Sequence, residues 1–276
     1  MKILAIGDFH GKVNSKLKKI PRDIDLILCV GDLADTRVLR DIQFKYWNLI
    51  KKETEKIYKQ VLGEKKYFDI LKKTNESMYP PLKFLESFKK PVFLVYGNSD
   101  FLDKNVRKIG AEGLESMCRE NENLILLKTN YKKFDNLTIA GFSGYRGAMS
   151  KGLTKTDKKQ KEKVKKINSE WENRLNGLFQ RVQYQENVIF LAHDVPRGYF
   201  DRVNYKKSPL HNKHVGDEYF TKYIKRYQPD LFICGHMHEY QGVKVLGKTK
   251  IITTGSAAEG KAVIIDIDKR IKVRFI

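Results

Sequence analysis

Short apolar runs alternate with polar segments through most of the chain. In the N-terminal third, the runs Ile3–Ile6, Asp25–Val30 and Val92–Tyr96 have the length of buried strands, and each is followed by a glycine. Polar segments with turn residues or helical spacing separate these runs. This order of strand, turn and helix predicts an α/β protein with a largely parallel sheet.

The same signals continue to the C-terminus. Further strands are predicted at Leu124–Leu127, Leu137–Ala140, Asn187–Ala192 and Leu231–Cys234, with a helix over Asp217–Arg226. The tail predicts four short antiparallel strands: Val243–Leu246, Lys250–Thr253, Ala262–Ile267 and Ile271–Phe275. Because the chain contains no internal repeat and no linker-like stretch, we expect one domain over residues 1–276.

A helical segment at about 38–80 interrupts this order. Apolar residues recur there near the helical period: Ile42, Tyr46, Ile50, Ile57 and Val61. Pro80 and Pro81 are expected to end the segment, and a helix over Leu82–Phe88 is expected to follow. We interpret the segment as an insertion of packed amphipathic helices, with a lid or an interface element as the alternatives.

A lysine-rich segment lies at about 151–170. Residues 151–166 contain eight lysines against Asp157 and Glu162, a composition typical of a solvated helix or loop. An amphipathic helix around Trp171 follows. The whole chain has a net charge of +21, which is compatible with binding to nucleic acid, anionic lipid or polyphosphate, and equally with a solvated surface.

Composition excludes several classes of protein. No apolar run approaches the roughly 20 residues that a membrane-spanning helix needs. The first strand begins directly after Lys2, which leaves no space for a secretory signal, so we expect a cytoplasmic location. Three cysteines without C-x-x-C spacing predict neither a disulfide framework nor a thiolate zinc site.

Residue types that bind metals follow five of the predicted strands directly: Asp8 with His10, Asp32, Asn98, His193, and His236 with His238. Functional groups in such sheets gather beyond the carboxyl ends of the strands, so these side chains are expected in one crevice. Carboxylate oxygens, an amide oxygen and imidazole nitrogens suit manganese, iron or zinc. Seven ligands exceed the need of one tetrahedral ion, whereas two ions that share a carboxylate would use them all.

These residues stand in motifs that resemble those of the calcineurin-like metallophosphoesterase superfamily. The motifs read Gly7-Asp8-Phe9-His10, Gly31-Asp32-Leu33-Ala34-Asp35, Gly97-Asn98-Ser99-Asp100, His193 after a strand, and Gly235-His236-Met237-His238. The resemblance covers the chain except for residues 38–73 and the lysine-rich segment. It implies a four-layer α/β/β/α sandwich in which helices flank two mixed β-sheets.

The resemblance also implies a site for two divalent ions. Asp8, His10, Asp32 and His238 would hold one ion, and Asp32, Asn98, His193 and His236 would hold the other. We expect manganese, with iron, zinc, nickel or cobalt as alternatives. The implied reaction is in-line attack on a phosphate ester by a hydroxide held between the ions, with Asp32 and Asn98 serving catalysis as well as binding.

One position departs from the family pattern. Many members carry a histidine after the asparagine, where it can protonate the leaving group, whereas this chain has Ser99. His214 is a candidate substitute, although hydrogen bonding within its own loop explains this residue equally well. Since a diester depends less on a protonating histidine, we favour a phosphodiester substrate over a phosphomonoester.

Other functions and partners stay open at this point. A nucleotide or nucleic-acid substrate fits the positive charge, with Lys151–Lys166 as an arm that binds the phosphate backbone. A non-catalytic scaffold of the same fold is disfavoured because the seven ligand positions are all present. A processive DNA-repair nuclease is disfavoured because the sequence offers no coiled-coil partner site. A homo-oligomer is compatible with the sequence.

Overall fold

Two six-stranded β-sheets form the centre of the computed structural model, which describes residues 1–47, 54–268 and 270–276. In chain order the strands are β1 (Lys2–Ile6), β2 (Leu26–Cys29), β3 (Val92–Leu94), β4 (Leu124–Leu126), β5 (Thr129–Phe134), β6 (Leu137–Phe142), β7 (Val188–Ala192), β8 (Leu231–Cys234), β9 (Gly242–Leu246), β10 (Thr249–Thr253), β11 (Val263–Ile267) and β12 (Ile271–Phe275). The first sheet has the order β12-β11-β1-β2-β3-β4, and the second has the order β5-β6-β7-β8-β10-β9.

Both sheets are mixed. In the first sheet β1 to β4 are parallel, while β11 and β12 pair antiparallel at one edge. In the second sheet β6, β7, β8 and β10 are parallel, while β5 and β9 are antiparallel edge strands. The expectation of an entirely antiparallel tail is therefore wrong for β10. After the β9 hairpin, β10 pairs in parallel with β8, so that Thr253 lies opposite Cys234.

Eight α-helices accompany these strands within the described ranges: α1 (Arg37–Lys45), α2 (Thr54–Leu62), α3 (Glu64–Glu76), α4 (Tyr79–Glu86), α5 (Asp103–Val106), α6 (Leu114–Arg119), α7 (Lys158–Val182) and α8 (Glu218–Tyr227). The two sheets pack face to face, and their inner faces share one buried cluster that contains Ile3 and Ile233. Helices α4 and α6 cover the outer face of the first sheet, while α7 and α8 cover that of the second. These layers confirm the predicted α/β/β/α sandwich.

Alternation along the strands explains the layering. In β1, Ile3 and Ala5 point to the core between the sheets, whereas Leu4 and Ile6 point to the helices of the first sheet. Because successive strand side chains face opposite sides, a continuous apolar strand must be covered on both faces. The apolar runs of the first sheet are therefore unbroken, because the second sheet covers one face and a helical layer covers the other.

The helical segment before β3 contains α1 to α4, and residues 48–53 of the predicted segment, including Ile50, lie outside the described residues. Leu39, Ile42, Tyr58, Tyr67 and Leu71 form a buried cluster of their own, as expected for packed helices. The expectation that Pro80 and Pro81 end the segment is wrong, because both lie in the first turn of α4. Proline fits there since the first helical N–H groups need no partner within the helix.

The lysine-rich segment leads into α7, whose first turn is capped by Asp157 and Gln160. Six lysines of the lysine-rich segment are exposed on α7. Lys151, in contrast, is buried in an ion pair with Asp194, so it is not part of a solvated arm. Strand β5 was not predicted, because its alternating exposed residues form a polar edge strand. Among the described helices, none combines the length and apolar character required to span a bilayer.

Candidate metal centre

Five loops meet at one edge of the two sheets. Asp8 and His10 follow β1, Asp32 follows β2, Asn98 follows β3, His193 follows β7, and His236 with His238 follow β8. These strands run parallel within their own sheets, so their carboxyl ends lie at a common edge. The structure brings the carboxylates and imidazoles together in two groups whose ligand atoms lie within 4.8 Å of one another.

Four of these residues have a left-handed backbone, with φ of 55° at Asp8, 46° at His10, 53° at Asp32 and 66° at His236. Such a conformation costs about 1–3 kcal/mol at a residue other than glycine and persists only where the surroundings impose it. Here the Asp8 N–H donates to Gly31 O at 2.8 Å, and the His10 N–H donates to Asp32 O at 3.0 Å. The two loops therefore hold each other in the bent form that turns their side chains into the crevice.

The first group consists of Asp8, His10, Asp32 and His238. Nε2 of His10 lies 2.9 Å from Nε2 of His238, and Nε2 of His238 lies 3.4 Å from Asp8 Oδ1. Nε2 of His10 lies 3.8 Å from Asp32 Oδ2. The two carboxylates are buried, while the histidines retain some exposure, so the group opens to solvent on its histidine side.

The second group consists of Asp32, His193 and His236, with Asn98 beside them. Nε2 of His193 lies 3.0 Å from Asn98 Oδ1, 3.4 Å from Asp32 Oδ1 and 3.2 Å from His236 Nδ1. Asp32 contributes Oδ1 to this group and Oδ2 to the first. Its carboxylate thus lies between the two groups.

The hydrogen bonds of His193 test whether a cation fits here. Its Nδ1 lies 2.8 Å from Val30 O, an acceptor only, so Nδ1 carries a proton, and in the neutral ring Nε2 presents a lone pair. That lone pair faces the oxygens of Asn98 and Asp32, which are also acceptors. A bound cation satisfies all three atoms at once, so the residues present fit a divalent ion that prefers oxygen and nitrogen ligands.

Electrostatics favour the ligating protonation states of His236 and Asp32. At His193 and His238 burial by itself would lower the pKa, but the carboxylates of Asp32 and Asp8 raise it above its usual value. Burial, followed by the charge of neighbouring His193, lowers the pKa of His236 well below its usual value, so its imidazole is neutral. Burial by itself would raise the pKa of Asp32, but His193, His10 and the Ser99 N–H together hold it below its usual value. A neutral imidazole and an ionised carboxylate are the forms that bind metals.

Two glycines of the motifs are required because ligand side chains lie too close to them to leave room for a Cβ atom. A Cβ atom on Gly97 would overlap Asp32 Oδ1 and the His193 ring, and one on Gly235 would overlap Asp8 Oδ2. Any side chain at these positions would push a carboxylate out of the crevice. The glycines that precede Asn98 and His236 in the sequence therefore create the space for the ligand atoms.

Asp100 and Ser99 support the ligands, in roles that the sequence did not reveal. The Asp100 carboxylate accepts hydrogen bonds from the N–H groups of Asp32, Leu33 and Gly97 at 2.7–2.8 Å. The Ser99 hydroxyl donates to Asp32 Oδ2 at 2.9 Å, and its N–H donates to Asp32 Oδ1 at 2.8 Å. In the sequence, Asp100 could be singled out only by its place in the motif, and no pattern predicted the hydrogen bonds of Ser99 to Asp32.

The family model described as calcineurin-like phosphoesterase matches residues 1–240. The chain belongs to the calcineurin-like phosphoesterase family. As a family member it is a metallophosphoesterase, a hydrolase that acts on phosphate esters. Comparison with curated proteins gives no match.

Solved structures resemble this phosphoesterase over its full length. One has 17% identity and a TM-score of 0.67, covering 100% of this chain and 98% of its own. The protein TT1561 of Thermus thermophilus has 16% identity and a TM-score of 0.57, with 100% and 97% covered. A dimetal phosphatase from Danio rerio has 9% identity and a TM-score of 0.50, with 100% and 95% covered. At such identities the likeness shows the fold alone.

His214 lies outside the two groups. Its side chain is 57% exposed, and its Nδ1 lies 2.8 Å from Oδ1 of the buried Asp201. The loop that carries both residues is anchored beside the centre, because the N–H groups of Asn204 and Tyr205 donate to Glu239, the residue after His238. Within the described ranges no hydrogen bond or ion pair joins His214 to the seven predicted ligands.

A lysine and an aromatic ring border the second group and were not predicted. The Tyr145 ring lies 4.7 Å from the His236 ring, and Lys151 Nζ lies 4.2 Å from the centre of the Tyr145 ring. Lys151 also binds Asp194, the residue after His193. Both residues lie in a segment without hydrophobic periodicity, so the sequence contained no signal for their position.

Proposed function

We propose that this phosphoesterase hydrolyses a phosphodiester at a centre that holds two divalent ions. The observation that carries the proposal is the position of Asp32, whose two carboxylate oxygens face separate groups of ligands. The likeness in fold to a dimetal phosphatase supports two ions as well. Manganese is the expected ion, because the ligands are oxygens and nitrogens without a thiolate.

Asp8, His10, Asp32 and His238 would hold one ion, and Asp32, Asn98, His193 and His236 the other. When bound, the ions would supply Lewis-acid activation of water and of the phosphoryl group. The Asn98 side chain is exposed at the mouth of the crevice, where its amide can also contact the substrate. Buried Asp8 and Asp32 supply negative charge against the ions, and Val30 O orients His193.

The surroundings of Ser99 support a diester over a monoester. Its hydroxyl donates to Asp32, and the residue is only 2% exposed, so it has no proton to offer to a leaving group. An enzyme without a general acid at this position depends on substrates whose leaving group departs easily. His214, oriented by Asp201, is the candidate proton donor for less reactive substrates.

A panel of esters tests this proposal. Phosphomonoesters, phosphodiesters, cyclic nucleotides and nucleic acids are assayed with manganese, and the metal content is measured by mass spectrometry. We expect about two ions per chain and faster hydrolysis of diesters, whereas Asp32→Ala should lose the activity and at least one ion. A preference for monoesters would refute the diester assignment, and a protein without bound metal after loading would indicate the scaffold alternative.

The exposed lysines of α7 favour a polyanionic substrate such as a nucleic acid. Lys158, Lys159, Lys161, Lys163, Lys165 and Lys166 are all exposed on the first turns of this helix. Binding through phosphates releases counterions, so the affinity for DNA or RNA should fall steeply with salt. Weak binding that does not depend on salt would show that these lysines are only a solvated surface.

A further inference from the structure

One face of α1 borders the metal centre. Thr36 precedes the helix, and its hydroxyl lies 3.3 Å from that of Ser99, which in turn binds Asp32. Arg40 and Phe44 follow at intervals of four residues, which places them on the same face as Thr36. At the far end of this face, the Phe44 ring lies 6.4 Å from the ring of Tyr205, in the loop that carries His214.

This face of α1 therefore extends from the ligand Asp32 to the loop beside His238. Leu39 and Ile42, on the other side of the helix, are buried in the cluster that joins α1 to α2 and α3. The helix is thus fixed by its apolar side, and the face that carries Arg40 lies between Ser99 and Tyr205. An inserted helix placed in this way would form a wall of the substrate site.

Arg40 lacks a partner in this wall. Its Nε is buried without a hydrogen-bond acceptor, and within the described ranges no carboxylate forms an ion pair with its guanidinium. A buried donor without an acceptor is rare in folded proteins and requires an explanation, such as a water, an ion or a ligand that supplies the acceptor. The neighbouring Arg37 differs, because Asp35 binds its guanidinium at 2.6 Å and its side chain is 70% exposed.

Contacts one turn before and one turn after Arg40 locate its side chain. Thr36 contacts Ser99, which binds Asp32, and Phe44 contacts Tyr205, whose N–H donates to Glu239 beside His238. An anion bound over the first group of ligands would therefore lie on the side of α1 that carries the positive charge of Arg40.

We propose that Arg40 is a substrate-binding residue whose guanidinium binds the phosphoryl oxygens of the ester, which rests on the function proposed above. The planar fork of an arginine matches two oxygens of a phosphate and remains charged at any physiological pH. With the ions on one side and Arg40 on the other, the negative substrate would be held from two directions. The helical insertion would thereby contribute directly to the recognition of the phosphate.

Kinetics of Arg40→Gln and Arg37→Gln test the assignment. Each variant removes one arginine charge from the same helix, but only in Arg40 is the Nε buried without an acceptor. For Arg40→Gln we expect KM, and the inhibition constant of inorganic phosphate, to rise by about 10- to 100-fold, with a smaller change in kcat. Arg40→Lys should recover the charge but only part of the binding, since an ammonium cannot form the paired contacts.

Metal content and thermal unfolding of each variant show whether the centre and the fold remain intact. Unchanged values of KM and of phosphate inhibition in Arg40→Gln would overturn the assignment, as would an equal effect of Arg37→Gln. If the metal-loaded protein hydrolyses no ester, the function proposed above fails, and calorimetric titration with inorganic phosphate then decides the role of Arg40. Loss of phosphate binding in Arg40→Gln alone supports it; equal binding, or no binding to the unaltered protein, refutes it.

Discussion

The hydroxyl of Ser99 donates a 2.9 Å hydrogen bond to Asp32 Oδ2, the carboxylate oxygen that faces His10. The residue that departs from the family pattern is therefore a support for the shared carboxylate. Its position also explains why a proton donor must come from elsewhere, because the hydroxyl is buried and already engaged.

Ser99→Ala is expected to weaken metal binding or to lower kcat/KM by about 10-fold or more, since partners that orient ligands commonly contribute 10- to 100-fold. Metal titration and steady-state kinetics measure the effect. Thr36→Val is the matched control, because it removes the hydroxyl that contacts Ser99 and leaves the bond to Asp32 intact. Equal metal affinity and equal kcat/KM in Ser99→Ala and the unaltered protein would contradict the supporting role.

Removal of metal should lower the thermal stability. The ions would bind the native state only, and binding at 100 times Kd contributes about 2.7 kcal/mol to the free energy of unfolding. We therefore expect a chelator to reduce Tm in the metal-loaded protein, and manganese to restore it. Asp32→Asn should show little response to either treatment. A Tm that does not change on chelation would speak against a metal centre that stabilises the fold.

His214→Gln should slow the hydrolysis of esters with poor leaving groups by about 100-fold, which is the lower range of general acid catalysis. The hydrolysis of nitrophenyl esters should be affected far less. Asp201→Asn should have a similar but smaller effect, because it disturbs the orientation of the imidazole rather than its proton. The ratio of kcat/KM between the two substrate types is the measurement. If both substrates slow equally, His214 has only a structural role in its loop.

Lys151 and Asp194 form an ion pair whose side chains have no exposed surface. Loss of one partner leaves a buried charge, so Lys151→Met should lower the free energy of unfolding by about 3–5 kcal/mol. Adding Asp194→Asn should recover much of this loss, because the second charge is removed while the Val195 N–H keeps an acceptor.

Urea unfolding measures these differences. The control is Lys166→Met, because the Lys166 side chain is 80% exposed and its pair with Glu170 at 4.0 Å should contribute at most about 1 kcal/mol. Similar losses in the two lysine variants would show that burial of the Lys151 pair has no energetic consequence.

Several features of this protein follow from the sequence. Apolar runs such as Leu231–Cys234 predict buried strands wherever they occur, because a strand covered on both faces needs no alternation. The side chains placed directly after these runs, Asp8, Asp32 and His193 among them, belong to the carboxyl edge of the sheets by their position alone. The α/β class and the set of candidate ligands therefore follow from the sequence pattern, whereas the four-layer sandwich was implied only by the resemblance of the motifs.

Other features depend on contacts between distant parts of the chain. Lys151 lies in a segment whose composition is typical of a solvated region. Its burial is energetically possible only because Asp194 forms an ion pair with it. Arg37 and Arg40 look alike in the sequence, yet Asp35 binds Arg37 at the surface, whereas the Nε of Arg40 is buried without an acceptor. Local sequence determines which segments form strands and which functional side chains follow them. The packing of elements that are distant in the sequence determines which charged side chains form ion pairs and which stay unpaired.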